Sequence, residues 1–314
     1  MSDCRLPATQ FFWSLRRRRL WRSCRRRYFL HYYAAAAGTT DAPPQWAQAR
    51  WLRNALPVPV FVQRLLNAVL REEFYRVPDE TGDYPDRNDF VAAAVNRGES
   101  EWRRLIRSGP QPPPSHPLLL ELLDSGNRVT EVGLRLRETI RSEAARIAAG
   151  VWPRLDAVDA CRRRPIPSPL EVQLNELRCF AVPAIAFAAP GGELWIIEGV
   201  RSGREGADEI ALLHKFYAMN ALGKAPEKVR SFALAPGEYN FVELAPQLDV
   251  SAAVRAIRND VDEMTGVVAD DGMVDPATFP AAPGEACSAC PFRKYLCNAE
   301  PGSSMDTCAA GDAG

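Results

Sequence analysis

Residues 170–200 read LEVQLNELRCFAVPAIAFAAPGGELWIIEGV, and their texture decides the fold class. LEVQLNEL (170–177), RCFAVPAIAFAA (178–189) and ELWIIEGV (193–200) are runs rich in β-branched and aromatic residues, which read as strands. Pro190-Gly191-Gly192 falls between the last two as a hairpin turn. Downstream, Asp208–Leu222 reads as a helix, Val229–Leu234 and Tyr239–Leu244 as shorter strands, and Asp249–Met264 as a last helix. Strand, strand, helix, strand inside a helical frame predicts an α/β core with a mixed central sheet.

The helical frame lies upstream. Apolar and aromatic positions recur at helical spacing from Gln10 to Ala37, which puts Cys24 on an N-terminal helix. GTTDAPP (38–44) breaks that helix. Helices are expected over Trp46–Leu56, Val58–Phe74, 90–108, 117–124 and 129–151, with turn-rich PDETGDYPDRND (78–89) and proline-rich GPQPPPSHP (109–117) between them. The expected organisation is a basic, aromatic helix over 1–37, a helical region over 38–164, an α/β core over 165–248, a helix and Cys cluster over 249–300, and a disordered tail over 301–314.

A chain of 314 residues exceeds the ~100–200 residues common for one domain, and a single core with a helical insertion accounts for it. Composition is that of a soluble globular protein, 46% hydrophobic and 25% charged. No apolar stretch approaches the ~20 residues that span a bilayer. The arginine-rich start has no continuous apolar segment before a cleavage site, so a secretory signal is not expected and a cytoplasmic protein with reduced thiols is.

Formal net charge is zero, but residues 1–33 hold nine arginines and one acid, Asp3. Arg16, Arg17, Arg18, Arg19, Arg22, Arg25, Arg26 and Arg27 are interleaved with Phe11, Phe12, Trp13, Trp21, Tyr28, Phe29, Tyr32 and Tyr33. Guanidinium groups suit a phosphate backbone and rings suit stacked bases, so these eight arginines are nucleic-acid candidates. The same spacing also describes a helix with a buried aromatic stripe, the plainer reading of the rings. Arg162, Arg163 and Arg164 form a second basic cluster.

Three cysteines near the end, Cys287, Cys290 and Cys297 in CSACPFRKYLC, stand against Cys24 in WRSCRRRYFLHYY. Four thiolates suit a tetrahedral zinc or an iron-sulfur cluster. Structural zinc sites usually draw on two local pairs, whereas only one CxxC is present, so an iron-sulfur cluster is the leading expectation and zinc the alternative. Cys4, Cys161, Cys179 and Cys308 fit no pattern, although Cys4 and Cys308 stay open as substitutes for Cys24.

The start, FFWSLRRRRLWRSCRRRYFLHYY (11–33), is similar to the opening of RecB-like PD-(D/E)XK nucleases, and FPAAPGEACSACPFRKYLC (279–297) resembles the closing cluster motif of those proteins and of CRISPR-associated iron-sulfur exonucleases. The resemblance spans nearly the whole chain. It implies a restriction-endonuclease-like fold in which the C-terminal cysteines close onto the N-terminal helix, with Cys24, Cys287, Cys290 and Cys297 holding a [4Fe-4S] cluster. It also implies DNA, single-stranded or at ends, as partner, together with a protein partner in a DNA-processing or defence complex, and no membrane.

Nucleases of this kind need Mg2+ held by acids, with a lysine nearby. Laid onto this chain, the family's helical His falls near Leu66 in VFVQRLLNAVL, and G-x-I-D on Pro183-Ala184-Ile185-Ala186. D/E-x-K falls on Glu198-Gly199-Val200, the Gln on Leu213 and the Tyr on Tyr217. Alanine and leucine cannot bind a hard cation, and no register shift within RCFAVPAIAFAA supplies an acid. The expectation is thus a nuclease-fold protein that binds DNA or a DNA-processing partner, with impaired hydrolysis. The alternatives are an active Mg-dependent exonuclease with a migrated set (Glu171, Glu198 and Lys215, or Arg201 or His214 as the cation), and a structural subunit without a nucleic-acid role.

Overall fold

The computed structural model describes residues 5–37, 44–76, 86–108, 117–124, 129–156, 162–164, 166–200 and 204–297. Cys4, Cys161, Cys308, Arg201 and the tail over 301–314 lie outside them, as do most residues of the three interhelical loops. The chain opens with strands β1 (Leu6–Pro7) and β2 (Trp13–Ser14), helices α1 (Leu15–Ser23) and α2 (Arg25–Phe29), a π-helical turn over Leu30–Ala34, and α3 (Ala35–Ala37). The single helix expected over Gln10–Ala37 is broken at Cys24. There the backbone is extended, and the cysteine sulfur accepts the Arg27 N–H at 3.4 Å, so the thiol caps the second segment.

The helical region follows with α4 (Pro44–Leu52), β3 (Ala55–Leu56), α5 (Val58–Arg76), α6 (Arg87–Ser108), β4 (Leu118–Leu119), α7 (Leu120–Asp124) and α8 (Val129–Asp156). Leu66, Val69, Phe74, Phe90, Leu136, Ile140 and Ile147 lie in one buried cluster, so α5, α6 and α8 share a core.

Where one central sheet was expected, the described residues form a five-stranded and a three-stranded sheet, besides two two-stranded pairs. β5 (Arg162–Arg163), β6 (Leu170–Leu174), β7 (Leu177–Ala181), β8 (Pro183–Ala188), β9 (Leu194–Val200), α9 (Ala207–Leu222), β10 (Val229–Leu234), β11 (Phe241–Glu243), α10 (Val250–Thr265) and β12 (Met273–Val274) complete the chain. The expected strand 178–189 is two strands, broken at exposed Val182 and at Pro183, which has no N–H to give a ladder. β7 joins a three-stranded sheet β2-β7-β6, whereas β8 joins the five-stranded order β11-β10-β9-β8-β5. β8 and β9 are an antiparallel hairpin across Pro190–Gly192, and β9 runs parallel to β10 with α9 as the crossover.

The five-stranded sheet is mixed and covered on both faces. Ile185, Phe187, Ile197 and Phe232 pack into the core of α5, α6 and α8, while Ala186, Ile196 and Val229 pack against Ala218 of α9. This double burial is why β8 is apolar along its length. The architecture is therefore mixed α/β, with a helical first half.

Protein contacts tie the first described elements to the last. β1 pairs antiparallel with β12, Arg26 Nε donates to Phe279 O at 2.8 Å, and Phe279 is buried among Trp21, Tyr28, Phe29 and Tyr33. Asp260 of α10, itself buried, accepts from Trp13 Nε1 at 3.0 Å and pairs with Arg22 at 3.0 Å and Arg18 at 3.3 Å. Trp13, Trp21, Tyr28, Phe29 and Tyr33 of the aromatic stripe are thus core, while Phe11, Phe12 and Tyr32 stay partly exposed.

Candidate functional site: a thiol cavity and an arginine-lined groove

Cys24, Cys287, Cys290 and Cys297 line one cavity of about 630 Å3. Cys24 arrives from the break between α1 and α2. The other three come from successive turns after Gly284, held by Cys287 N–H to Gly284 O, Cys290 N–H to Cys287 O and Cys297 N–H to Phe292 O. Phe292, fully buried, anchors that loop in the aromatic core. The Cys290 thiol is pushed up by burial first, with Cys24 adding to the rise, while Arg27 and the Phe292 and Arg293 N–H groups oppose it. Among the described residues no group of three or more His, Cys, Asp or Glu is arranged around a single metal ion; the four thiols surround a space. Their softness and number, with Arg27 and Arg293 lining the same wall, fit a thiolate-ligated group whose negative charge needs cationic neighbours. Cys179 lies apart, buried on β7 with its thiol pushed up to about 12 by burial.

A second, larger cavity of about 1100 Å3 adjoins the first, and Arg27 lines both. Its walls carry Arg16, Arg19, Arg22, Arg53, Arg64, His31 and the rings of Phe12, Tyr32 and Phe180, with Glu198 and Glu205 as acids. Arg16 keeps a water-facing surface but sits in a concave wall, so desolvation comes first in lowering its pKa, with Arg27 and Arg53 also lowering it and Tyr32 opposing. Burial and then Arg16 lower Arg64 to about 10. His31 is held well below the ordinary histidine value, by burial first and then by Arg16, Arg53, Arg27 and Arg64.

The eight arginines of the basic start have separate fates. Arg17 is buried under the rings of Phe11, Phe12, Tyr28 and Tyr32 and donates to Phe12 O at 3.1 Å. Arg18 pairs with Glu209 and Asp260 and Arg26 with Phe279 O, so these two are used inside the protein, while Arg22, which also lines the groove, pairs with Asp260. Arg19 pairs with Glu205 at 3.4 Å, and Arg25 lies over Trp21. Arg16 and Arg27 face the groove. Arg53, Arg64 and His31, which join them there, carry no local sequence signal: each comes from a different segment.

Glu198, near the end of β9, is the only one of the three catalytic candidates that lines the groove. Its Oε1 lies 3.1 Å from His214 Nε2, and His214 Nδ1 lies 3.0 Å from Ser231 Oγ, with both ring and hydroxyl buried. Gly199 lies so close to α5 that a Cβ there would fall 2.2 Å from Asn67 Nδ2, and Gln63 Nε2 donates to Val200 O at 2.7 Å. The helix expected to supply a His thus supplies amides to the end of β9, and Leu66 is buried. Ala186 is interior to β8, with its N–H donated to Tyr75 Oη.

Glu171 stands on β6, in the other sheet from Glu198, where Arg178 across the β6–β7 turn holds its carboxyl below the usual range. Two members of the migrated set, Glu171 and Glu198, thus lie in different sheets, since the break at Val182 sends β7 and β8 apart. Lys215 on α9 acts on Glu243 of β11, lowering its carboxyl after Arg230, and does not line the groove. Tyr217 is half-buried, its hydroxyl pushed up by burial.

No protein-family model matches the chain. A comparison with curated proteins gives no match. Among the described residues, no helix is long and apolar enough to cross a membrane.

Proposed function

We propose that this protein binds nucleic acid in the arginine-lined groove, on a PD-(D/E)XK-like scaffold whose thiol cavity holds a [4Fe-4S] cluster, and that it hydrolyses DNA poorly or not at all. The observation that carries the reading is the concentration of Arg16, Arg27, Arg53 and Arg64 in one concave wall beside Phe12, Tyr32 and Phe180. Charge for phosphates and rings for bases in one groove suit a single strand. The resemblance of both chain ends to iron-sulfur nucleases supports the scaffold. Cys24, Cys287, Cys290 and Cys297 would hold the cluster, which when bound clamps the two ends and contributes no hydrolytic step.

Impaired hydrolysis follows from the donor set. A hard divalent cation takes oxygen ligands. On the strand pair β8–β9 the groove offers one carboxylate, Glu198, already hydrogen-bonded to His214, opposite a strand with no acid. Glu171 and Lys215 are engaged elsewhere, which removes support for a migrated set.

The test is fluorescence anisotropy with labelled single- and double-stranded DNA across a salt series, run beside Mg2+ and Mn2+ cleavage assays on anaerobically purified protein. Binding that weakens steeply with salt, without metal-dependent cleavage, is the expected result. Cleavage lost on Glu198→Ala would overturn the impaired reading. Salt-insensitive or absent binding overturns the groove, favouring a structural subunit.

A further inference from the structure

We propose that Arg16, Arg27, Arg53 and Arg64, converging around His31, form a binding site for a terminal phosphate, the phosphomonoester at the end of a single-stranded nucleic acid; this rests on the nucleic-acid reading of the groove. Four guanidinium groups from α1, α2, the segment after α4, and α5 meet on one wall. The groups that lower one another there are arginines. No carboxylate is among the charges acting on Arg16, Arg64 or His31, although Glu198 and Glu205 line the same groove. Elsewhere on the same helices arginines are neutralised: Arg18 and Arg22 by Asp260, and Arg19 by Glu205. The protein thus gathers these guanidinium groups in one concavity, and among the described residues Arg16, Arg53 and Arg64 form no ion pair like those of Arg18, Arg19 and Arg22.

Such a cluster is complementary to concentrated negative charge. Internal phosphodiesters carry one charge each, spread along the strand, whereas a terminal phosphomonoester carries up to two on three oxygens at one point and accepts several charge-assisted hydrogen bonds from forked guanidinium groups. His31, neutral among the arginines, adds a donor or acceptor without adding a fifth repelling charge at pH 7. Tyr32, in edge contact with His31 at 4.7 Å between ring centroids, and Phe12 offer a face for the terminal base.

The experiment uses the full-length protein and short single-stranded oligonucleotides of one sequence, bearing a 5′-phosphate, a 3′-phosphate or hydroxyls at both ends. A phosphate at one end is expected to tighten binding about tenfold, one charge-assisted contact's worth; which end gains it identifies the source. Arg53→Gln and Arg64→Gln should each weaken binding of both kinds of strand, as loss of a groove cation must, but weaken the phosphate-ended strand more, so that the gain itself falls severalfold. Both variants relieve repulsion, so their melting temperatures should equal or exceed the wild type's, showing that they fold. Arg97→Gln on α6 keeps the gain. Equal affinity for all three strands overturns the end site but not the groove, whereas no binding of any strand overturns both. A gain that persists in both variants overturns the assignment to these arginines.

Discussion

His214 joins Glu198 to the sheet: its Nε2 lies 3.1 Å from Glu198 Oε1 and its Nδ1 3.0 Å from Ser231 Oγ, so one buried ring on α9 links the end of β9 to the middle of β10. All three groups are satisfied when Nε2 carries the proton and Nδ1 accepts the serine hydroxyl. The order hydroxyl, imidazole, carboxylate resembles a nucleophilic relay, but Ser231 is buried and the carboxylate is the groove-facing end, so the ring orients Glu198. His214→Ala should cost about 2–4 kcal/mol in urea unfolding, combining a cavity with an orphaned hydroxyl. Glu198→Gln, whose amide oxygen can accept the same bond, should cost under about 1 kcal/mol. A His214→Ala cost within error of zero would sink this arrangement.

Asp260 is a buried carboxylate with a joining role, accepting from Trp13 and Arg22 and paired in charge with Arg18, all of the first elements. Removing it leaves Arg18, buried beside Glu209, with half its charge partners and Trp13 without an acceptor. Breaking such a network by one partner costs about 3–5 kcal/mol. Asp260→Ala should therefore destabilise by that order, while Asp271→Ala, whose pair with Arg5 is exposed, should change stability by under about 1 kcal/mol. Equal effects of the two would contradict the buried role.

The RRRR run at 16–19 shows what a sequence can and cannot reveal. Successive helical residues project about 100° apart, so four identical arginines meet four environments: groove, aromatic box, buried acids and Glu205. Composition identified the basic helix, but the partners lie far away in the chain and left no local mark. The β8–β9 hairpin, α9, β10 and α10 were legible because periodicity and turn chemistry act locally. The break at Val182-Pro183 was not, since a run apolar enough to serve two sheets reads as one strand. Likewise the meeting of the four cysteines at one cavity was legible in the motif, whereas Arg53, Arg64 and His31 depend on how α4, α5 and the π-helical turn pack.

His31 gives the protein a defined pH response. Its pKa in the folded state lies well below 6.5, the ordinary value that the unfolded chain retains. Below 6.5 the unfolded state therefore binds the extra proton, and stability falls as pH drops through that value. The wild type's melting temperature should decline from pH 7 to pH 5 more steeply than that of His31→Gln, which has no proton to gain. Parallel curves for the two proteins would contradict the desolvated, arginine-ringed placement.

The thiol cavity yields a prediction that separates cofactor from fold. Pairing of β1 with β12, the Arg26 to Phe279 carbonyl bond and the ring cluster around Phe279 already hold the chain ends together. Loss of a ligand should thus empty the site without unfolding the protein. Cys290→Ser and Cys24→Ser, purified anaerobically, should lose visible absorbance, iron and sulfide, yet unfold in one cooperative transition at a lower temperature. Cys179→Ser, altering a buried thiol on β7 outside the cavity, should keep the metal content of the wild type. Serine at position 24 also retains an oxygen that can cap α2, so any loss there reports the missing thiolate and not the missing cap. A colourless wild type with one zinc per chain would replace the cluster with the four-thiolate zinc reading. Wild-type protein with no metal at all would leave Cys24 as a helix cap alone.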